Sequence, residues 1–259
     1  MGILNATPDS FHAASRVDLD SAIERGLQMW SSGADWIDVG GESTRPNAEP
    51  IDSAEEMKRV VPVIEALRAV NPTGLISIDS RRVDVARAAL NAGANMVNDV
   101  SGLRDPEMEA LVIERGCAVC IMHMQGEPGN MQSEPTYDDV FSEVYSNLIS
   151  TANRLVENGH EPGLICLDPG IGFGKTLTHN LELLHSRCDS NYSILWGVSR
   201  KSMFGQLLGR VETEQRLAGT LGVAAHAMIE GVDILRVHDV EEHADLLTTL
   251  ATLRPELDG

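Results

Sequence analysis

Seven polar side chains stand at or just past the ends of short apolar runs: Asn5, Asp79, Asn98, Asp168, Lys201, Arg236 and His238. Carboxylates only accept hydrogen bonds when ionised, amides donate and accept, and ammonium and guanidinium groups only donate. Converging, such a set suits the edge of a flat heterocycle rich in N–H and C=O groups. The cations, together with Asn5, suit an anionic leaving group, with or without a metal ion. The competing reading is a set of mutually satisfied polar groups packing one end of a domain. That reading serves for any one of the seven but poorly for all seven together.

The elements that must position them are readable. Apolar runs at residues 2–4, 36–39, 75–78, 96–97, 117–122, 164–167, 194–198 and 234–237 end at Asn5, Gly40, Asp79, Asn98, His123, Asp168, Ser199 and His238. Helical periodicity separates the runs, over residues 20–32, 53–70, 83–92, 105–115, 137–158, 180–187, 213–230 and 240–253, with a further helix opening near Ser202 and interrupted at Gly209. Ser53-Ala54-Glu55-Glu56 reads as a capping box. Eight strands alternating with helices in roughly 250 residues predict a (β/α)8 TIM barrel, one α/β domain over 1–259, with its active site at the C-terminal ends of the strands. The two longest βα connections, 7–17 and 40–53, read as substrate lids.

Composition narrows the partners. The 259 residues carry 39 acidic against 20 basic side chains, a net charge of −19. Phosphate-backbone binding needs a basic face, so nucleic acid is excluded as the expected partner. No apolar run approaches the ~18 residues of a membrane span, and the N-terminus lacks the basic and apolar regions of a signal peptide. The expectation is a soluble, cytoplasmic protein. Cys117, Cys120, Cys166 and Cys188 read as core residues of a reducing compartment. Cys117-x-x-Cys120 with His123 is a poor zinc site, because positions three apart on a strand face opposite sides. His12, His160, His185, His226 and His243 read as surface or helix residues. The chain has only three lysines, Lys58, Lys175 and Lys201, and two of them follow predicted strands directly.

Two loops carry recognisable chemistry. Asp168-Pro169-Gly170-Ile171-Gly172-Phe173-Gly174-Lys175-Thr176 fails the P-loop pattern, since Pro169 stands where its first glycine belongs. It reads instead as a glycine-rich loop that clears space for a ligand beside Asp168. Ser199-Arg200-Lys201-Ser202 leads into a helix, whose N-terminus favours anions. Period-two alternation puts Arg236 and His238 on one face of the last strand.

Taken in order, these strings resemble the dihydropteroate synthase family across essentially the whole chain. The resemblance is carried by Gly2-Ile3-Leu4-Asn5-Ala6-Thr7-Pro8-Asp9-Ser10-Phe11, Gly40-Gly41-Glu42-Ser43-Thr44-Arg45-Pro46, Ile78-Asp79-Ser80, Asn98-Asp99-Val100-Ser101-Gly102 and Met122-His123-Met124. The Asp168 loop, Ser199-Arg200-Lys201-Ser202 and Arg236-Val237-His238-Asp239 complete it. It implies condensation of p-aminobenzoate with 6-hydroxymethyl-7,8-dihydropterin pyrophosphate, releasing pyrophosphate by a dissociative route. Asp79, Asn98, Asp168 and Lys201 would hold the pterin edge, and Met122, Phe173 and Gly197 would line its slot. Asn5 would hold Mg2+ against the diphosphate, with Arg45, Arg236 and His238 on the same anion. Phe11, Thr44, Pro46 and Ser202 would shape the p-aminobenzoate site, which is also where sulfonamides would compete. The resemblance further implies a homodimer.

Two departures stand out. The family's first loop usually continues Phe-Ser-Asp-Gly-Gly, whereas this chain reads Phe11-His12-Ala13-Ala14-Ser15, and Asn47 replaces a frequent glycine. Two rival readings remain. A pterin-binding methyl-transfer domain shares the barrel and the acid and amide positions, but has no need of Ser199-Arg200-Lys201-Ser202 or Thr44-Arg45-Pro46. A catalytically weak pterin-binding protein would bind pterin without turnover.

Overall fold

The computed structural model describes residues 1–6, 16–42, 51–126, 129, 131–185 and 187–255. Eight strands form one curled parallel sheet: β1 (Gly2–Asn5), β2 (Trp36–Gly40), β3 (Leu75–Asp79), β4 (Met96–Asp99), β5 (Ala118–Met122), β6 (Ile165–Asp168), β7 (Ser193–Trp196) and β8 (Ile234–Leu235). Each pairs with its sequence neighbour. The sheet closes where Ile3 donates its N–H to the Val237 carbonyl and Val237 donates to Met1, each at 2.9 Å. The (β/α)8 expectation therefore holds for the architecture.

Helices clothe the barrel: α1 (Arg16–Ser31), α2 (Ser53–Val70), α3 (Val83–Ala92), α4 (Pro106–Arg115), α5 (Val140–Glu157), α6 (Leu177–His185), α7 (Met203–Leu208), α8 (Leu217–Ile229) and α9 (Val240–Leu253). Outward strand residues such as Ile37, Val39, Ile76, Ile78, Val97, Ile121, Leu167 and Ile194 pack beneath these helices in one apolar layer. Inward residues follow the two-residue alternation. At the bottom they are apolar, with Met1, Met96, Cys120, Cys166 and Leu195 forming a small cluster of their own. One step higher several inward positions turn polar, at Asp38, Asn98, Asp168 and Arg236, while Met122 stays apolar.

Several boundaries differ from the sequence reading for local reasons. The cap of α2 is Asp52 rather than Ser53, and its Oδ1 accepts from the Glu55 N–H at 2.8 Å. Asp139 caps α5, so that helix starts at Val140 rather than Tyr137. α6 opens earlier than expected, at Leu177, and Gly209 with φ 68° ends α7. Residues Thr213–Arg216 form a 3-10 turn before α8 begins. β5 starts one residue after Cys117, β7 stops at Trp196, and regular pairing in β8 stops at Leu235. His160, expected at the surface or in a helix, is in neither place: it is buried in the connection after α5. His243 lies on α9 as expected and is buried there. Most of the two loops expected to act as lids, including Phe11, Thr44, Arg45 and Pro46, lies outside the described residues.

Candidate active site

Parallel pairing sets the polar groups level with one another. Asp79 pairs with Asn98 across β3 and β4, and Met122 pairs with Asp168 across β5 and β6. Asn5 ends β1 on the inward phase of its strand. Gly197 follows β7, and a Cβ there would stand 3.6 Å from Asp168 Oδ2, so its lack of a side chain keeps that carboxylate reachable. The structure thus gathers Asn5, Asp79, Asn98, Met122, Asp168, Gly197 and Arg236 at one end of the barrel.

The centre of this array is a residue that sequence reasoning missed. Asp38, two positions before the end of β2, is 0% exposed. Its Oδ2 accepts from Arg236 Nε at 2.6 Å and from Asn98 Nδ2 at 3.0 Å, while Oδ1 has no hydrogen-bond partner. Arg236 Nη2 donates to Asp79 Oδ2 at 2.5 Å. Arg236, expected on an anion, is thereby also the tie between two carboxylates. Counting inward positions back from Gly40 by twos would have found Asp38; attending only to strand ends passed over it.

Burial and neighbouring charge tune these groups. Burial raises the Asp79 carboxyl to about 7, with Arg236 opposing the rise and Asp38 adding to it. Burial also raises Asp168, opposed by the Gly170 N–H and the Lys201 charge. Lys201 is lowered to about 8 by burial, with Asp168 pulling the other way. Burial works against the charge of Arg236, but Asp38 and Asp79 outweigh it and raise its pKa. Perturbed acids and bases concentrated in one place mark a candidate functional site.

Three loops frame the array. The Asp168 carboxylate accepts from the Gly170 N–H at 2.7 Å, which sets the start of the β6–α6 loop. Gly170 has φ +67°, and a Cβ there would come 1.9 Å from the His123 carbonyl oxygen, so the approach of the two loops excludes any side chain. Half-buried Phe173 lies in this loop, with Lys201 Nζ 4.1 Å from its ring centroid, a cation–π distance. After β7, Arg200 adopts φ 56° and is held there by an ion pair with Asp239 and by its own N–H donating to Thr220 Oγ1 at 3.0 Å. Exposed Ser202 caps the six-residue α7 without a side-chain cap bond. His238 Nδ1 lies 2.9 Å from Ser199 Oγ, which also accepts from the His238 N–H at 3.1 Å. Arg82 braces both ends of the β2–α2 connection, pairing with Glu42 at 2.7 Å and donating to the Ile51 carbonyl at 2.5 Å. Asp99, next to Asn98, serves its own loop, accepting from the N–H groups of Ser101 and Leu103.

Among the described residues no group of three His, Cys, Asp or Glu stands together to hold a metal. Asn5 offers a single amide oxygen. That fits Mg2+, which takes few protein ligands and keeps water and substrate phosphate oxygens around it. No helix among the described residues is long and apolar enough to cross a membrane.

Comparison with known proteins follows the same lines. The family described as pterin binding enzyme matches residues 1–238. The dihydropteroate synthase of Escherichia coli (strain K12) is 43% identical over 258 residues, covering 98% of this chain and 91% of that protein. The structure of Burkholderia cenocepacia dihydropteroate synthase complexed with 7,8-dihydropteroate has a TM-score of 0.88 at 41% identity, covering 99% of this chain and 91% of that one. The Xanthomonas albilineans dihydropteroate synthase with 4-aminobenzoic acid has a TM-score of 0.89 at 39% identity, covering 98% and 92%.

Proposed function

The chain belongs to the dihydropteroate synthase family of pterin-binding enzymes, and from that premise we propose that it joins p-aminobenzoate to 6-hydroxymethyl-7,8-dihydropterin pyrophosphate, giving 7,8-dihydropteroate and pyrophosphate. The observation that carries this reading is the array of Asp38, Asp79, Asn98 and Arg236 beside Asp168 and Lys201. A pterin edge presents N–H groups and ring acceptors in one plane, and the array offers acceptors and donors facing it.

Asp168 and Asp79 accept from the pterin N–H groups, and Asn98 and Lys201 complete the edge. Met122, Phe173 and Gly197 bound the slot in which the ring lies. The diphosphate meets His238 and Arg236, with Arg45 added from the β2–α2 connection. Mg2+, held by Asn5 and the diphosphate, would supply charge neutralisation to the leaving group.

The carbon–oxygen bond then breaks with its electron pair on pyrophosphate. The cations stabilise the charge that develops there. The positive charge left on the pterin side is spread over the ring, and the buried carboxylates below it favour that charge. The lone pair of the aromatic amine closes the new carbon–nitrogen bond, and the amine loses a proton. Phe11, Thr44, Pro46 and Ser202 hold the p-aminobenzoate during this step, and sulfonamides compete for the same place. The active unit is a cytoplasmic homodimer.

The test is direct. Purified protein given both substrates and Mg2+ forms a product with the mass and absorbance of 7,8-dihydropteroate, with one pyrophosphate per product. Pterin binding without that product would make the protein a binder rather than a synthase.

A further inference from the structure

Lys175 is one of three lysines in the chain, and only 3% of it is exposed. A buried ammonium is costly unless its donors are met. Its three donors find three acceptors: the Phe173 carbonyl at 2.9 Å, the His123 carbonyl at 3.3 Å and His123 Nδ1 at 3.2 Å. None of these partners is a carboxylate. They come from two separate loops, β5–α5 and β6–α6. Burial lowers the Lys175 ammonium to about 7, with Asp168 pulling the other way and Lys201 adding to the fall, so it is fully charged only below that pH.

The same two loops interlock by backbone. A Cβ on Gly174 would stand 2.6 Å from the Gln125 carbonyl oxygen. Tyr137 donates its hydroxyl to the Gly174 carbonyl at 2.9 Å, and Gln132 Nε2 donates to the Gly172 carbonyl at 2.6 Å. Those bonds fix the residues on either side of Phe173. Lys175 binds the Phe173 carbonyl itself. The ring of that residue is the one that meets Lys201 at 4.1 Å.

We propose that Lys175 is a positioning residue, its ammonium tying the β5–α5 loop to the β6–α6 loop so that Phe173 and Lys201 keep the spacing the pterin slot requires. The proposal rests on the pterin-binding reading above. It also fixes the state of His123. Below about pH 7, where Lys175 is charged and can only donate, Nδ1 3.2 Å away is the acceptor and the ring proton sits on Nε2. Burial, with the Lys175 and Arg104 charges, lowers the imidazole to about 3 and keeps it neutral.

The experiment compares wild type with Lys175→Met, which keeps the stem of the side chain and removes its donors. Calorimetry with the dihydropterin pyrophosphate should show affinity weakened, with about tenfold, the low end for a lost hydrogen bond to a charged group, as the upper limit for a tie that reaches the pterin only through Phe173. In turnover the KM for the pterin should rise by the same factor, with kcat and the KM for p-aminobenzoate little changed. A merely structural lysine would instead reduce the active fraction, lowering kcat at constant KM, and that result overturns the proposal, as does unchanged pterin affinity. The 15N resonance of His123 Nδ1 gives a second readout. In the wild type it should be that of an unprotonated nitrogen accepting a hydrogen bond, shifted in Lys175→Met. If the variant does not fold, the wild-type resonance alone decides, and a protonated or unbonded Nδ1 overturns the proposal. A wild type that binds pterin without forming dihydropteroate refutes the synthase reading while leaving the calorimetric and resonance tests of Lys175 intact.

Discussion

Arg236 bridges Asp38 and Asp79, with Nε 2.6 Å from Asp38 Oδ2 and Nη2 2.5 Å from Asp79 Oδ2. Asp38 is fully buried and the other two are mostly so. Removing one partner of such a group leaves an uncompensated charge. Arg236→Met should therefore destabilise the fold by about 3 kcal/mol. Adding Asp38→Asn to it should recover part of the loss, because the stranded charge is then gone. Urea unfolding of the single and double variants reads this out, and strictly additive losses would argue against the bridge.

Asp168 reaches the mouth of the barrel with one oxygen on the Gly170 N–H and the other facing Gly197. Asp168→Asn keeps the shape but loses the charged acceptor. Pterin affinity should fall between about tenfold and a hundredfold, the span expected for a hydrogen bond to a charged group. Calorimetry checks it, and unchanged affinity would remove Asp168 from the site.

Asp79 gives the pH dependence. In the free protein its carboxyl is raised to about 7 by burial. It is protonated below that pH and ionised above it. Only the ionised form is a pure acceptor for pterin N–H groups, so binding should tighten as pH rises from about 5 to 7, below the range in which Lys201, lowered to about 8, loses its charge, and at most about tenfold per pH unit. The sign is opposite for stability. A carboxyl with a folded pKa above its unfolded value binds more protons when folded, so its contribution declines as pH rises from about 4 to 7. Affinity measured at three pH values should show the slope in the wild type and lose it in Asp79→Asn.

The cap of α2 separates two neighbouring residues. Asp52→Ala should cost about 1 kcal/mol, the usual cost of losing a side-chain cap. Ser53→Ala should cost little, since the Asp52 carboxylate is the group bound to the Glu55 N–H. Equal losses in thermal unfolding would place the cap at Ser53 instead.

Much of this was legible in the sequence, for stated reasons. Asn98 and Asp168 end apolar runs, Arg236 stands in the last run two residues before His238, and parallel strands in a closed sheet bring these ends to one place. α9 spans Val240–Leu253 as its periodicity suggested. Asp38 was hidden because it lies inside a run, where an acid is masked by Ile37 and Val39. Its role appears only when inward and outward positions are separated. Lys175 showed itself through lysine scarcity, but its partners depend on how two loops meet, and no local pattern encodes that. The start of α5 was missed because Tyr137 and Val140 share an apolar phase, while Asp139 between them decides where the helix begins.

The most direct measurement is pyrophosphate release from the purified protein with the dihydropterin pyrophosphate and Mg2+, with and without p-aminobenzoate. Release that depends on p-aminobenzoate, matched by dihydropteroate and relieved from sulfonamide inhibition by added p-aminobenzoate, is the result predicted here. Pterin bound at the barrel mouth with no p-aminobenzoate-dependent release would contradict the synthase account.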